Sequence, residues 1–449
     1  MRRVGAALLL SLLVLVVGCG PKPTQIDAGR FGQAWLFEAR GLSRGVLFLF
    51  SDSQGWSSAD NAAAARLAAA GAVVIGIDLP RYRQALTGTG DACLYLVGDV
   101  EKVSRQVQRR QGFRRYLAPI LVGAGEGGAL AQAMLAQSPS QAVAGAVVVD
   151  PTAAMKIRQP ICRQPPLNAG VASGPGGFLV AAFSRRAPAS GKAAVEHAAA
   201  SGQPVEIQPL PMAPTRQEAL ATLAAPTISD AAGLAMTSGI GDLPLVELPA
   251  ASPGAPLVVV LSGDGGWRDI DRQIAEKLQK HGLSVLGWDS LSYFWRSRTP
   301  DEFGRDLARA IDFYSKRWQA PRIALVGYSF GADVLPFGAT RLPWEQRRHI
   351  VQLSLLGYSG KADFQIHVAG WFGAGPSKAA RPAAPEFAQI SLSKVQCFYG
   401  AGESDSACPT LAAGGAEVVK TEGGHHFDGD YAVLAQRIAD GLAQRSTGG

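Results

Sequence analysis

Charge is sparse in this chain. Only 18% of its 449 residues are charged, and although Lys and Arg outnumber Asp and Glu by 43 to 36, no segment gathers them densely. A nucleic-acid groove needs such a segment, so no nucleic-acid partner is expected. The net charge of +7 reads instead as a solvated basic surface with mild attraction to anionic lipid headgroups. Long apolar runs are also scarce. Beyond the first twenty residues nothing approaches the roughly 20 apolar residues of a transmembrane helix. Cysteine is limited to five positions, with no C-x-x-C pair and no His/Cys cluster. That pattern offers no zinc site and implies no cofactor. What remains, at 47% hydrophobic residues, is a globular chain long enough for about two or three domains.

The one apolar run is N-terminal. In MRRVGAALLLSLLVLVVGCG, Arg2 and Arg3 precede an apolar stretch that ends in small residues. This is the layout of a secretory signal, too short to span a bilayer stably. Its end, Val16-Val17-Gly18-Cys19, has the form of a bacterial lipobox, in which Cys19 is lipidated and becomes the mature N-terminus. The expected product is a periplasmic protein tethered to a membrane surface by its lipid. Four cysteines then remain: Cys93, Cys162, Cys397 and Cys408. An oxidising compartment favours disulfides, and pairing within halves predicts Cys93–Cys162 and Cys397–Cys408, one of three arrangements that four cysteines allow.

The chain repeats itself. VLFLFSDSQGW (46–56) lies over LVVVLSGDGGW (257–267), an offset of 211 residues. The same offset takes Gly71 to Gly282, Asp78 to Asp289 and Tyr82 to Tyr293. After a small length change, PILVGAGEGGA lies over IALVGYSFGAD. In each copy short continuous apolar runs alternate with amphipathic helical stretches, which predicts a mostly parallel sheet flanked by helices. The expected organisation is a signal peptide at 1–19, a first domain at 27–225, a Pro/Ala/Gly/Ser-rich linker at 226–255 and a second domain at 256–449.

Chemistry concentrates in the second copy. Gly327-Tyr328-Ser329-Phe330-Gly331 follows an apolar strand and opens a helix, the frame of a nucleophile elbow. A serine needs a base, and in α/β-hydrolases the acid and then the histidine follow it in sequence. Glu403 and Asp405 lie in the loop after one later strand, and His425 and His426 after the next. Asp405 is favoured as the acid because it sits deeper in a loop that a Cys397–Cys408 bond would pin; Glu403 is the alternative. His425 is favoured as the base because it starts a His-x-Phe pattern with Phe427; His426 is the alternative. The oxyanion hole is expected from the backbone N–H of Phe330 and from the SGDGGW loop at Gly263. Asp264 is out of place beside an anion hole. It either turns outward to bind a cationic part of the substrate or caps the following helix. The equivalent tryptophans, Trp56 and Trp267, read mainly as packing.

The first copy has Gly125 where Ser329 stands, and it lacks the glycine-rich loop and the acid; its His197 falls in a helical stretch. The fold expected is therefore tandem α/β-hydrolase-like domains, the first a non-catalytic one.

Four motifs taken in order, SGDGGWRDID, GYSFGADVLPF, ESDSACP and GGHHFDGDY, resemble the VirJ/AcvB family of bacterial envelope proteins. The resemblance is close in the second half and looser over the rest. It implies an exported serine hydrolase that cleaves the aminoacyl ester of lysyl- or alanyl-phosphatidylglycerol, and a link to virulence. It also implies Ser329 as nucleophile, His425 (or His426) as base and Asp405 as orienting acid. The membrane, through aminoacylated phosphatidylglycerol, would be the partner. Two other functions fit the same sequence: a generic esterase, or a binding platform for envelope or secretion proteins.

Overall fold

In the central strands nearly every residue is apolar and buried, as a sheet covered by helices on both faces requires. The computed structural model describes residues 23–87, 92–139, 142–162, 177–233, 240–367 and 377–447. The signal segment and Cys19 lie outside them. The first unit comprises β1 (Thr24–Asp27), β2 (Gln33–Phe37), β3 (Gly45–Phe50), α1 (Ser58–Ala69), β4 (Ala72–Ile77), α2 (Leu79–Ala85), α3 (Val97–Arg110), β5 (Ile120–Ala124), α4 (Glu126–Gln137), β6 (Gly145–Val149), β7 (Phe178–Ala182), α5 (Ala189–Ala200), β8 (Val205–Ile207) and α6 (Arg216–Gly233). The second comprises β9 (Leu245–Leu248), β10 (Leu257–Leu261), α7 (Asp269–Lys280), β11 (Ser284–Trp288), α8 (Ser290–Tyr293), α9 (Pro300–Arg317), β12 (Ile323–Tyr328), α10 (Phe330–Thr340), α11 (Trp344–Arg347), β13 (Ile350–Leu356), β14 (Lys361–Ala362), β15 (Arg381–Pro382), β16 (Val395–Gly400), α12 (Cys408–Ala412), β17 (Glu417–Thr421) and α13 (Tyr431–Thr447).

The two large sheets share one topology. The first runs β1-β2-β4-β3-β5-β6-β7-β8, and the second, from its opposite edge, β9-β11-β10-β12-β13-β16-β17. Apart from the additional β1, the two orders correspond strand for strand. In each, the strand that opens the repeat (β2 or β9) pairs antiparallel and the following ladder is parallel. Side chains alternate across the second sheet: Leu257, Val259 and Leu261 enter one core layer, Val258 and Val260 the other.

The repeat extends to individual bonds. Ser51 Oγ accepts from Leu79 N–H at 3.0 Å, and Ser262 Oγ from Ser290 N–H at 2.9 Å. Asp78 and Asp289 each cap a short helix. Tyr82 donates to Asp99 and Tyr293 to Asp306, both at 2.7 Å. Trp56 lies against Gly76 and Trp267 against Gly287, where an added Cβ would meet the indole at 2.2 and 2.4 Å. The tryptophans are packing groups in both units.

The segment expected as a linker is largely structured. Helix α6 continues through Pro226 to Gly233, with Leu220, Leu223, Ala224 and Ile228 buried against the first sheet. Ile240 and Leu243 enter the second core, and Leu245–Leu248 forms the edge strand β9. Composition suggested a loop here, but the apolar side chains gain more by burial than the helix loses at its proline. The second unit thus begins before residue 256. Among the described residues no helix is long and apolar enough to cross a membrane.

Candidate active site

Ser329 stands between β12 and α10 at φ 52°, ψ −118°. An L residue pays about 1–3 kcal/mol for such a conformation, and the surroundings must impose it. The flanking glycines make the turn possible. A Cβ on Gly327 would meet Gly331 O at 2.5 Å, and one on Gly331 would meet Leu261 O at 2.5 Å. The strand end thereby presents the Ser329 hydroxyl at the carboxyl edge of the sheet, where doubly wound folds place their chemistry.

His425 reaches that hydroxyl. Its Nε2 lies 2.9 Å from Ser329 Oγ, and its Nδ1 lies 2.5 Å from Glu403 Oε1. His426 turns the other way, with Nδ1 3.2 Å from the Tyr328 hydroxyl. The acid beside the histidine is Glu403, which corrects the preference for Asp405. Strand β16 ends at Gly400, and the chain folds back in a tight turn in which Glu403 N–H donates to Gly400 O at 3.0 Å. The Glu403 carboxylate in turn accepts from Gly400 N–H at 2.6 Å. Asp405, two residues further on, is exposed. Loop depth in the sequence is a poor guide here, because the turn returns its third residue, not its fifth, to the strand end. Cys397 and Cys408 are bonded and bracket this loop, and Cys93 is bonded to Cys162.

The electrostatics follow from these contacts. Burial alone would push the His425 imidazole down, but the Glu403 hydrogen bond and charge, with Asp264 and Asp333 nearby, hold it above the ordinary histidine value. Burial raises the Glu403 carboxyl, and the hydrogen bonds from His425 and Gly400 more than reverse this, leaving it below its ordinary value. Burial pushes Asp333 up to about 7. Its carboxylate accepts from Ser359 N–H, Ser359 Oγ–H and Gly360 N–H, fastening the loop after β13. That loop starts at Gly357, where a Cβ would stand 2.6 Å from His425 Cε1. Nothing in the sequence singled out Asp333 or Gly357, because their roles depend on a loop brought in from another strand.

Phe330 is the first residue of α10, directly after Ser329, so its N–H has no partner within the helix. Gly263 flanks the same space; a Cβ added to it would lie 3.6 Å from Ser329 Cβ. Asp264 does not cap the following helix, whose N-cap is Arg268. Burial raises the Asp264 carboxyl, and the charges of Arg105, from the first unit, and His425 oppose that rise.

The first unit preserves the elbow without its chemistry. Gly125 adopts φ 59°, ψ −124°, nearly the Ser329 conformation. The Asp52 carboxylate, in the place of Gly263, fills the space above it: a Cβ on Gly125 would meet Asp52 Oδ2 at 2.4 Å. Asp52 Oδ1 also accepts from Glu126 N–H at 3.0 Å, the counterpart of the Phe330 N–H, and Arg216 pairs with the same carboxylate. The Asp52 side chain therefore fills, in the first unit, the place that corresponds to the space beside Ser329. His197 lies on α5.

Residues 255–446 match a family model described as Bacterial virulence protein (VirJ). The match lies within the C-terminal unit, which is similar to the VirJ family. Among solved structures, this chain is similar to Est1E from Butyrivibrio proteoclasticus, at 14% identity over 45% of this chain and 93% of that one, with a TM-score of 0.34. A mutant of the esterase E40 gives 15% identity over 47% and 85%, with a TM-score of 0.32. Alpha/beta hydrolase domain-containing protein 10 from mouse gives 13% over 44% and 93%, also at 0.32. No curated protein matches the chain. The α/β-hydrolase-like architecture of this VirJ-like unit, and of the unit before it, is carried by their shared strand order and by the two elbows.

Proposed function

We propose that the VirJ-like unit is a serine hydrolase of the bacterial cell envelope that cleaves the aminoacyl ester of lysyl- or alanyl-phosphatidylglycerol. The observation that carries the hydrolytic reading is the continuous contact from Ser329 Oγ through His425 to Glu403. Ser329 attacks the aminoacyl carbonyl while His425 Nε2 takes the hydroxyl proton. Glu403 orients the imidazole and stabilises its charged form. The carbonyl oxygen becomes an anion that the Phe330 N–H and the Gly263 loop receive. His425 returns the proton to the departing glycerol oxygen, freeing phosphatidylglycerol. A water, deprotonated by His425, then hydrolyses the aminoacyl-Ser329 ester.

The VirJ resemblance supports the lipid substrate, and the lipobox form at Cys19 agrees with an enzyme tethered at a membrane surface. Two measurements test the proposal. A fluorophosphonate should label folded protein at Ser329; absence of labelling would remove the hydrolase reading. In a strain lacking the protein, aminoacyl-phosphatidylglycerol should accumulate and be cleared by the wild-type chain but not by Ser329→Ala. Unchanged lipid with intact labelling would leave an esterase of another substrate.

A further inference from the structure

Helix α3 belongs to the first unit, yet one of its faces is turned to the second. Glu101, Arg105 and Arg109 recur every four residues and so form one stripe along the helix. Glu101 pairs with Arg268, whose Nε–H donates to Gly265 O at 3.0 Å. Arg109 donates to Trp295 O and Ile366 O, and its guanidinium lies 3.7 Å from the centroid of the Trp295 ring. Arg105, between them, is 3% exposed and lies 3.7 Å from the same Glu101 oxygen that holds Arg268, so it stands beside the 263–268 loop, where its charge acts on Asp264. Tyr116, also from the first unit, is buried in the second unit's core.

The contacts to Arg268 and Trp295 fall on segments beside Ser329. Gly263 to Arg268 is the loop beside the nucleophile. Trp295 follows Phe294, whose ring packs on Phe330 at 5.0 Å. Burying a stripe of charges is costly unless each is paired. Here Glu101 joins Arg105 to Arg268 across the unit boundary, and Arg109 finds its carbonyl partners in the second unit. An ionised Asp264 beside an oxyanion hole would oppose the charge that develops there, unless a cation balances it.

We propose that helix α3 of the non-catalytic unit completes the catalytic site of its neighbour: Glu101, through Arg268, braces the oxyanion loop, and Arg105 balances Asp264. Both are positioning residues, and the inference rests on the serine-hydrolase reading above. It gives the first unit a role that needs no catalytic group of its own.

The test uses the full chain with p-nitrophenyl butyrate, a neutral ester that has no amine for Asp264 to bind. Arg105→Gln should lower kcat about tenfold or more and leave KM within about twofold, as expected when transition-state stabilisation alone is lost. Adding Asp264→Asn to Arg105→Gln should restore most of that kcat, because the unbalanced charge is then gone. Glu101→Gln should likewise lower kcat at nearly constant KM. Wild-type kcat in Arg105→Gln, or a double variant as slow as Arg105→Gln, would overturn the proposal even if the wild-type enzyme is active. A wild-type chain that neither turns over ester nor labels at Ser329 would remove the hydrolase reading itself, and this inference with it.

Discussion

At the scale of single residues, the site depends on which carboxylate meets His425. Glu403 is mostly buried and bonded at both oxygens, whereas Asp405 is exposed. Glu403→Gln should lower kcat at least about 100-fold, because an amide neither fixes the imidazole tautomer nor stabilises its charge. Asp405→Asn should stay within about twofold of wild type; steady-state ester hydrolysis by both variants checks this. His425 must be neutral to accept the Ser329 proton. Since its folded value lies above the ordinary 6.5, kcat/KM should fall as pH drops through a midpoint above that value. In Glu403→Gln burial is opposed by less negative charge, so the midpoint should move lower. A pH–rate profile of the pair reads both shifts. The elbow glycine of the first unit is equally specific. Gly125→Ser in a Ser329→Ala background should bring no fluorophosphonate labelling, because Asp52 occupies the space and no histidine among the described residues reaches it.

At the scale of elements, loops do the positioning and strands only deliver them. The Cys397–Cys408 bond ties the middle of β16 to the start of α12 and closes an 11-residue separation around Glu403. Replacing both cysteines by serine should cost about 2–3 kcal/mol in chemical denaturation. It should also lower kcat, since Glu403 would lose a fixed loop. The spacing of apolar runs made the strands readable, because a strand buried on both faces needs an unbroken apolar run. The elbow was readable because its G-x-S-x-G spacing is local, with Gly327 lying against Gly331 four residues on, even though Gly331 is itself required by Leu261 of a neighbouring strand. The acid was not. Glu403 and Asp405 are two residues apart in one loop, and turn geometry rather than composition separated them. Helix α6 was hidden by its Ala- and Pro-rich sequence, because its stability comes from packing on the first sheet and not from local propensity.

At the scale of the whole molecule, the two units are copies in topology and unequal in chemistry. The sheet of the second starts at β9, the counterpart of β2. A chain beginning at residue 256 would therefore lose an edge strand and bare one side of β11, besides losing the contacts of α3. It should aggregate on size-exclusion chromatography, whereas a monodisperse, fully active fragment would contradict both the boundary and the role given to α3.

Residue order alone established the duplication, the alternating strands and helices, the elbow at Ser329 and its loss at Gly125, and the succession of acid and histidine. These are properties of spacing along the chain, and the backbone enforces them locally. Folding in three dimensions was needed to bring Glu403 to His425, to fill the first unit's elbow with Asp52, and to join Glu101 to Arg268 of the second unit. Those pairings join residues from separate loops or separate units, and no periodicity records which side chains a fold will bring within a few ångströms of one another.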